Sequence, residues 1–157
     1  MDKEENSVTI KKVDSESFEG FLGLIDKLAQ YERLAPPNEE AKNRLRRDCL
    51  SDKPKYEAFI GKIGEKPVAY VIFFFTYSSF LALPTLYVED IFVLEEYRRQ
   101  GVGKKMFDFL KETAKREGCG RIEFTVLTWN KTAQEFYENN GAKRMDWFLY
   151  RIEKENF

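Results

Sequence analysis

Histidine is missing from all 157 residues of this chain. That absence removes Ser-His-Asp and Cys-His catalysis, most zinc-dependent hydrolysis and any imidazole general base. Chemistry here has to run on carboxylates, tyrosine, lysine, cysteine or the backbone. Cysteine is almost as scarce. Cys49 and Cys119 stand far apart without C-x-x-C spacing, so neither a zinc cluster nor a redox motif is implied. Both fit small core fillers in a reducing cytoplasm. No apolar run approaches the ~20 residues of a membrane helix; the longest, Val68 to Phe75, has the length of a strand. An excess of one charge is lacking too, since 26 basic and 27 acidic side chains leave a balance of −1. Such a balance gives no long-range pull on nucleic acid. The polar opening Met1-Asp2-Lys3-Glu4-Glu5 does not fit a signal peptide. The expectation is a cytoplasmic chain with no metal, membrane or nucleic-acid partner.

Aromatic residues, by contrast, are plentiful: 15% of the chain, with 14 Phe and 8 Tyr. They suit a thick core and a shared subunit interface. The length allows one domain, 1–157, with its core over about 8–152. Val8 to Val13 has the pattern of a short strand. Phe18, Phe21, Leu22, Ile25, Leu28 and Ala29 then recur at helical spacing. Pro36-Pro37 breaks the chain, and Asn38 opens a charged second helix to about Leu50. Tyr56 to Ile63 and Pro67 to Tyr77 form a hairpin over Gly64-Glu65-Lys66, and Leu86 to Leu94 is a further strand. A helix over Gly103 to Glu117, a strand over Arg121 to Leu127, a helix over Lys131 to Asn139 and a strand over Met145 to Ile152 complete the order. This mixture predicts an α/β fold, a mixed central β-sheet flanked by helices in a single domain.

Arg98-Arg99-Gln100-Gly101-Val102-Gly103 joins a strand to a helix, where glycines expose successive backbone N–H groups and the helix end adds positive partial charge. It suits a phosphate, with Arg98, Arg99 and Lys104 adding charge. Two nucleotide loops fail on spacing. A Walker A loop would need glycine at Arg98 and Ser or Thr at Lys105; a dinucleotide fingerprint would need its third glycine at Met106. Upstream, Glu89-Asp90 interrupts an apolar strand. Neighbouring strand residues point to opposite faces, so one acid faces inward. A buried carboxylate needs a partner, either a structural Lys or Arg or a cationic substrate. A primary amine has a pKa of about 10.4, and neutralising it at pH 7 costs roughly 4–5 kcal/mol. A carboxylate acting as base would ease that step, and Glu89 is the leading candidate.

The pattern R-x-x-G-x-G between strand and helix resembles the coenzyme A pyrophosphate loop of the GNAT superfamily of N-acetyltransferases. More narrowly, Ile25 to Glu32, Phe75-Thr76-Tyr77, Leu86 to Val93, Glu96-Tyr97-Arg98, Trp129-Asn130, Phe136-Tyr137 and Gly141-Ala142 resemble the diamine branch, which acetylates spermidine, spermine or thialysine. The resemblance implies an acetyl-CoA-dependent enzyme acting on a small primary amine by direct attack, without metal, and as a homodimer. It implies that Arg98 to Gly103 and Lys104 hold the phosphates and that the backbone of Ile91, Phe92 and Val93 pairs with pantetheine like an added strand. Asn130 would bond the pantetheine arm or cap its helix. Tyr137, which by spacing alone is a core aromatic, would face the sulfur as general acid. Tyr31, Glu32, Phe80, Glu89 and Asp90 would line the amine site. The chain departs from that branch at Arg99, where glycine is usual, at Phe80, where tryptophan is usual, and over Leu81 to Thr85. Protein N-terminal or lysine acetylation, and coenzyme A sensing without turnover, are the alternatives.

Overall fold

The structure, a computed structural model, describes residues 7–157; the polar opening at residues 1–5 lies outside them. The described chain divides into two compact units, one running to Thr125 and one from Val126 to Phe157. Each is taken by itself.

The first unit holds β1 (Thr9–Lys12), α1 (Phe18–Glu32), α2 (Glu39–Leu50), β2 (Glu57–Ile63), β3 (Lys66–Ser78), β4 (Leu83–Val93), α3 (Val102–Arg116) and β5 (Arg121–Glu123). The sheet order is β1-β2-β3-β4-β5, antiparallel throughout except that β4 and β5 run parallel. This is the expected mixed sheet, and its local signals match the sequence. Asp14 accepts from Glu16 and Ser17 at the entry of α1. Asn38 caps α2 by accepting from the Ala41 N–H at 2.9 Å. Gly64, at φ 58°, turns the β2–β3 hairpin.

The sheet is covered on both faces. Phe18, Phe21, Leu22 and Leu24 of α1 pack with Cys49 of α2 against Ala58, Ile60, Tyr70, Ile72 and Phe92. On the opposite face Phe59 stacks on Phe73 and meets Phe109 of α3. There the backbone of Gly61 lies so close to Met106 of α3 that a Cβ would stand 2.9 Å from its sulfur.

The second unit contains α4 (Lys131–Asn139), capped by Asn130 and followed by Gly141 at φ 96°. Two expectations fail. The strand over Arg121 to Leu127 shortens to Arg121–Glu123, and Met145 to Ile152 forms no strand. A strand exists only by pairing, and no described residue beyond Glu123 enters a ladder. Trp147, Phe148, Leu149 and Tyr150 are exposed accordingly.

Candidate functional site

The register of β3 against β4 slips once: Ile72 pairs with Asp90, and Phe73 with Val88. Glu89 is the extra residue of a β-bulge. The slip overrides strict alternation and turns Asp90 to the α1 face beside Phe92, while Val88 stays on the α3 face with Phe73. One acid does face inward, and it is Asp90; Glu89 is exposed. The Tyr70 hydroxyl donates to Asp90 Oδ2 at 3.1 Å. Burial, together with Glu89 and Glu32, pushes the Asp90 carboxyl up to about 6, while the Tyr70 hydrogen bond opposes the rise. Burial alone raises Glu32. Burial first, then Asp90, Glu32 and Glu89, drives the Tyr70 phenol well above its ordinary value.

Around these acids the walls are aromatic. Tyr31, at the end of α1, lies 6.4 Å from Phe92, which lies 6.2 Å from Tyr70. The Arg98 guanidinium sits over Tyr31 at 4.5 Å and Phe92 at 5.5 Å, and its Nε donates to the Val93 carbonyl at 2.9 Å. Of the residues expected to line an amine site, Tyr31, Glu32, Glu89 and Asp90 therefore come together. Phe80 does not join them. It is fully exposed in the β3–β4 turn, roughly 20 Å from Asp90 at ~3.4 Å per strand residue. Tyr70 is the member that sequence reasoning missed. It stands inside an apolar run as one more core aromatic, and only the register places its hydroxyl beside Asp90.

The loop from Arg98 to Gly103 leads into a helix start, as expected. Gly101, at φ 83°, ends the loop and begins α3 without a side-chain cap, and no acid occupies the first turn. The N–H groups of that turn are thus left for an anion. Arg99 adopts φ 59°, a left-handed conformation that favours glycine. That explains why this position suits glycine in the branch it resembles. Lys104 pairs with Asp108 at 2.6 Å, Lys105 donates to the Val8 carbonyl, and Gln100 folds back on the Glu96 carbonyl. Arg99 is exposed.

One edge of β4 leads to this loop. β5 pairs only with Thr85, Leu86 and Tyr87, so among the described residues no strand covers that edge from Val88 to Val93. An open strand edge followed by an uncapped helix end fits an extended amide-bearing arm that finishes in a pyrophosphate, as coenzyme A does. Ile91, Phe92 and Val93 lie on that edge, and Gly101 to Gly103 form the helix start that follows it.

In the second unit, Asn130 Oδ1 accepts from the Ala133 N–H at 3.2 Å and so caps α4. Tyr137 is half-buried on that helix with its ring 5.4 Å from Phe136, and its carbonyl accepts from Ala142.

Comparison with known proteins agrees with this geometry. The model of the Acetyltransferase (GNAT) family matches residues 24–142. The chain is 32% identical over 160 residues to thialysine N-epsilon-acetyltransferase of Bos taurus, covering 94% of each. It is 41% identical over 108 residues to L-ornithine N5-acetyltransferase NATA1 of Arabidopsis thaliana, covering 67% of this chain and 47% of that one. Among solved structures, the coenzyme A complex of aminoglycoside N-acetyltransferase AAC(6')-Iy shares the fold, with a TM-score of 0.78 at 17% identity and coverage of 95% and 96%. The chain belongs to the acetyltransferase (GNAT) family and is an acetyl-CoA-dependent N-acetyltransferase.

Proposed function

We propose that the substrate is the terminal primary amine of a small cationic molecule: a lysine-like amino acid, a diamine or a polyamine. The observation that carries this reading is the convergence of Glu32, Glu89 and Asp90 beside the aromatic rings of Tyr31, Tyr70 and Phe92. Three carboxylates attract an ammonium, and aromatic faces hold a cation while excluding water. The two relatives named above, for thialysine and for the N5 position of L-ornithine, act on amines at the end of a side chain.

In this reading Tyr31, Glu32 and Glu89 capture the amine. The Ile91 to Val93 backbone aligns the thioester arm, and an N–H there polarises the carbonyl. Arg98 to Gly103 and Lys104 hold the phosphates. Tyr137 supplies the proton that the departing thiolate takes up, since a phenol near pKa 10 can donate to a thiolate whose thiol has a pKa of about 8.5. Asn130 orients the arm or keeps α4 in place. Transfer is direct, and neither cysteine takes part. The enzyme works in the cytoplasm as a single domain and a homodimer. A second copy would cover the exposed Phe75, Tyr77, Phe80, Leu81 and Leu83 of the β3–β4 hairpin.

The test is thiol release from acetyl-CoA with thialysine, lysine, ornithine, putrescine, spermidine and short peptides. Turnover confined to the small amines is expected. Turnover with peptides alone would transfer the reading to protein acetylation. No release with any amine, despite measured acetyl-CoA binding, would refute it.

A further inference from the structure

The buried side chains of α1, Phe18, Phe21, Leu22 and Leu24, all lie in its first half. Its last turn carries the exposed Tyr31 and the half-buried Glu32, and no basic residue of its own. A helix ends in unpaired carbonyls with partial negative charge, which a cation stabilises. Arg98 brings a cation to this turn from another element, its guanidinium lying 4.5 Å over the Tyr31 ring. The same side chain lies 5.5 Å over Phe92 and donates through Nε to the Val93 carbonyl at 2.9 Å, which ties it to the end of β4. Its backbone begins the loop that reaches Gly101 and the start of α3 three residues later. One arginine thus joins the end of α1, the end of β4 and the loop.

We infer that Arg98 is a positioning residue that couples the two substrates: with acetyl-CoA on the loop, it holds Tyr31 and Glu32 in place for the amine, so that each ligand raises the other's affinity. The inference rests on the amine-acetylating reading above, which puts the phosphates at the loop and the amine at Tyr31 and Glu32. A ligand that immobilises the loop also immobilises the arginine rooted in it. The second ligand then has less left to order. The effect is mutual, because a coupling free energy belongs to both sites.

The experiment measures by calorimetry the affinity of thialysine, or of whichever amine in the panel above the wild type turns over best, with and without saturating coenzyme A. Coenzyme A carries no acetyl group and so permits no turnover. In the wild type it should tighten amine binding about tenfold, and the amine should tighten coenzyme A binding by the same factor. Arg98→Gln and Tyr31→Leu should each bring that factor close to one, whereas Tyr31→Phe, which keeps the ring, should retain it. The Arg33 and Leu34 amides donate to the Gln30 and Ala29 carbonyls at the end of α1. Their hydrogen exchange should slow when coenzyme A is added to the wild type, but not in Arg98→Gln or Tyr31→Leu. A purely structural Arg98 predicts otherwise: its loss would weaken both ligands yet leave the factor unchanged, and that result overturns the inference. So does a wild-type factor of one. If Arg98→Gln fails to fold, Tyr31→Leu decides, since it leaves the loop untouched and lies on an exposed turn; a factor of about ten there overturns the inference as well. Absence of wild-type turnover with any amine would instead refute the functional reading and this inference with it.

Discussion

Asp90 should make the folded protein less stable as pH rises, and the size of the effect follows from its surroundings. Its carboxyl moves from 3.8 to about 6, first because it is buried and then because Glu89 and Glu32 lie close. The folded state therefore holds this proton more tightly than the unfolded chain does. Where the native state binds more protons, stability falls with rising pH. For Asp90 that fall begins near pH 4, runs to about 6 and is complete above it. The displacement corresponds to about 3 kcal/mol, an upper value that structural relaxation will reduce. Asp90→Asn keeps the shape and an acceptor for Tyr70 while removing the charge. At pH 8 the variant should be about 1–3 kcal/mol more stable, a rise in Tm of about 3–8 °C for a chain of this size. At pH 4 the two proteins should melt nearly together. Thermal unfolding at both pH values, with turnover measured in parallel, is the assay. An asparagine variant less stable than wild type at pH 8, or a difference that does not change with pH, would refute the reasoning.

Arg98→Ala should cost about 2–4 kcal/mol, from one hydrogen bond with a charged donor and two cation–ring contacts; Arg98→Lys should recover only part, because an ammonium lacks the planar fork. Urea unfolding checks this, and an unchanged midpoint would refute the structural contribution of this side chain. Gly61→Ala would place a Cβ 2.9 Å from the Met106 sulfur, 3.2 Å from Val8 and 3.3 Å from Ala69. Overpacking of that kind should cost about 1–3 kcal/mol, and a higher melting temperature would count against it. Tyr137→Phe should lower kcat about a hundredfold with acetyl-CoA affinity unchanged; an undiminished kcat would remove the phenol from catalysis.

Much of the first unit was legible because its signals are local. Periodicity located α1 and α3, and Asn38 and Gly64 marked a cap and a turn that the structure contains. The turn of the loop from Arg98 to Gly103 into α3 was legible for the same reason, since glycine marks it. What escaped depends on register. Nothing in Val68 to Phe75 distinguishes Tyr70 from its neighbours, and nothing in Glu89-Asp90 announces a bulge. A one-residue slip decides which acid is buried, and only the pairing with β3 discloses it. Arg98 is another instance: nothing in the sequence announces that its side chain lies over two rings and donates to the Val93 carbonyl. The segment from Met145 to Ile152 has the composition of a strand, and composition does not provide a partner.

The half-covered edge of β4 would, with the donor bound along it as proposed, tie the protein's integrity to the metabolic state of its surroundings. Among the described residues no strand pairs with that edge from Val88 to Val93, and an unpaired edge can take up an extended chain, including a neighbour's. If acetyl-CoA pairs with that edge as proposed, it would extend the sheet there and, at a concentration a hundred times the dissociation constant, add about 2.7 kcal/mol to stability. Cells rich in the acetyl donor would then carry a tougher, less sticky enzyme, and starved cells one more easily unfolded and degraded. The stretch of backbone proposed to align the reaction would then also couple the enzyme's abundance to the supply of its own fuel.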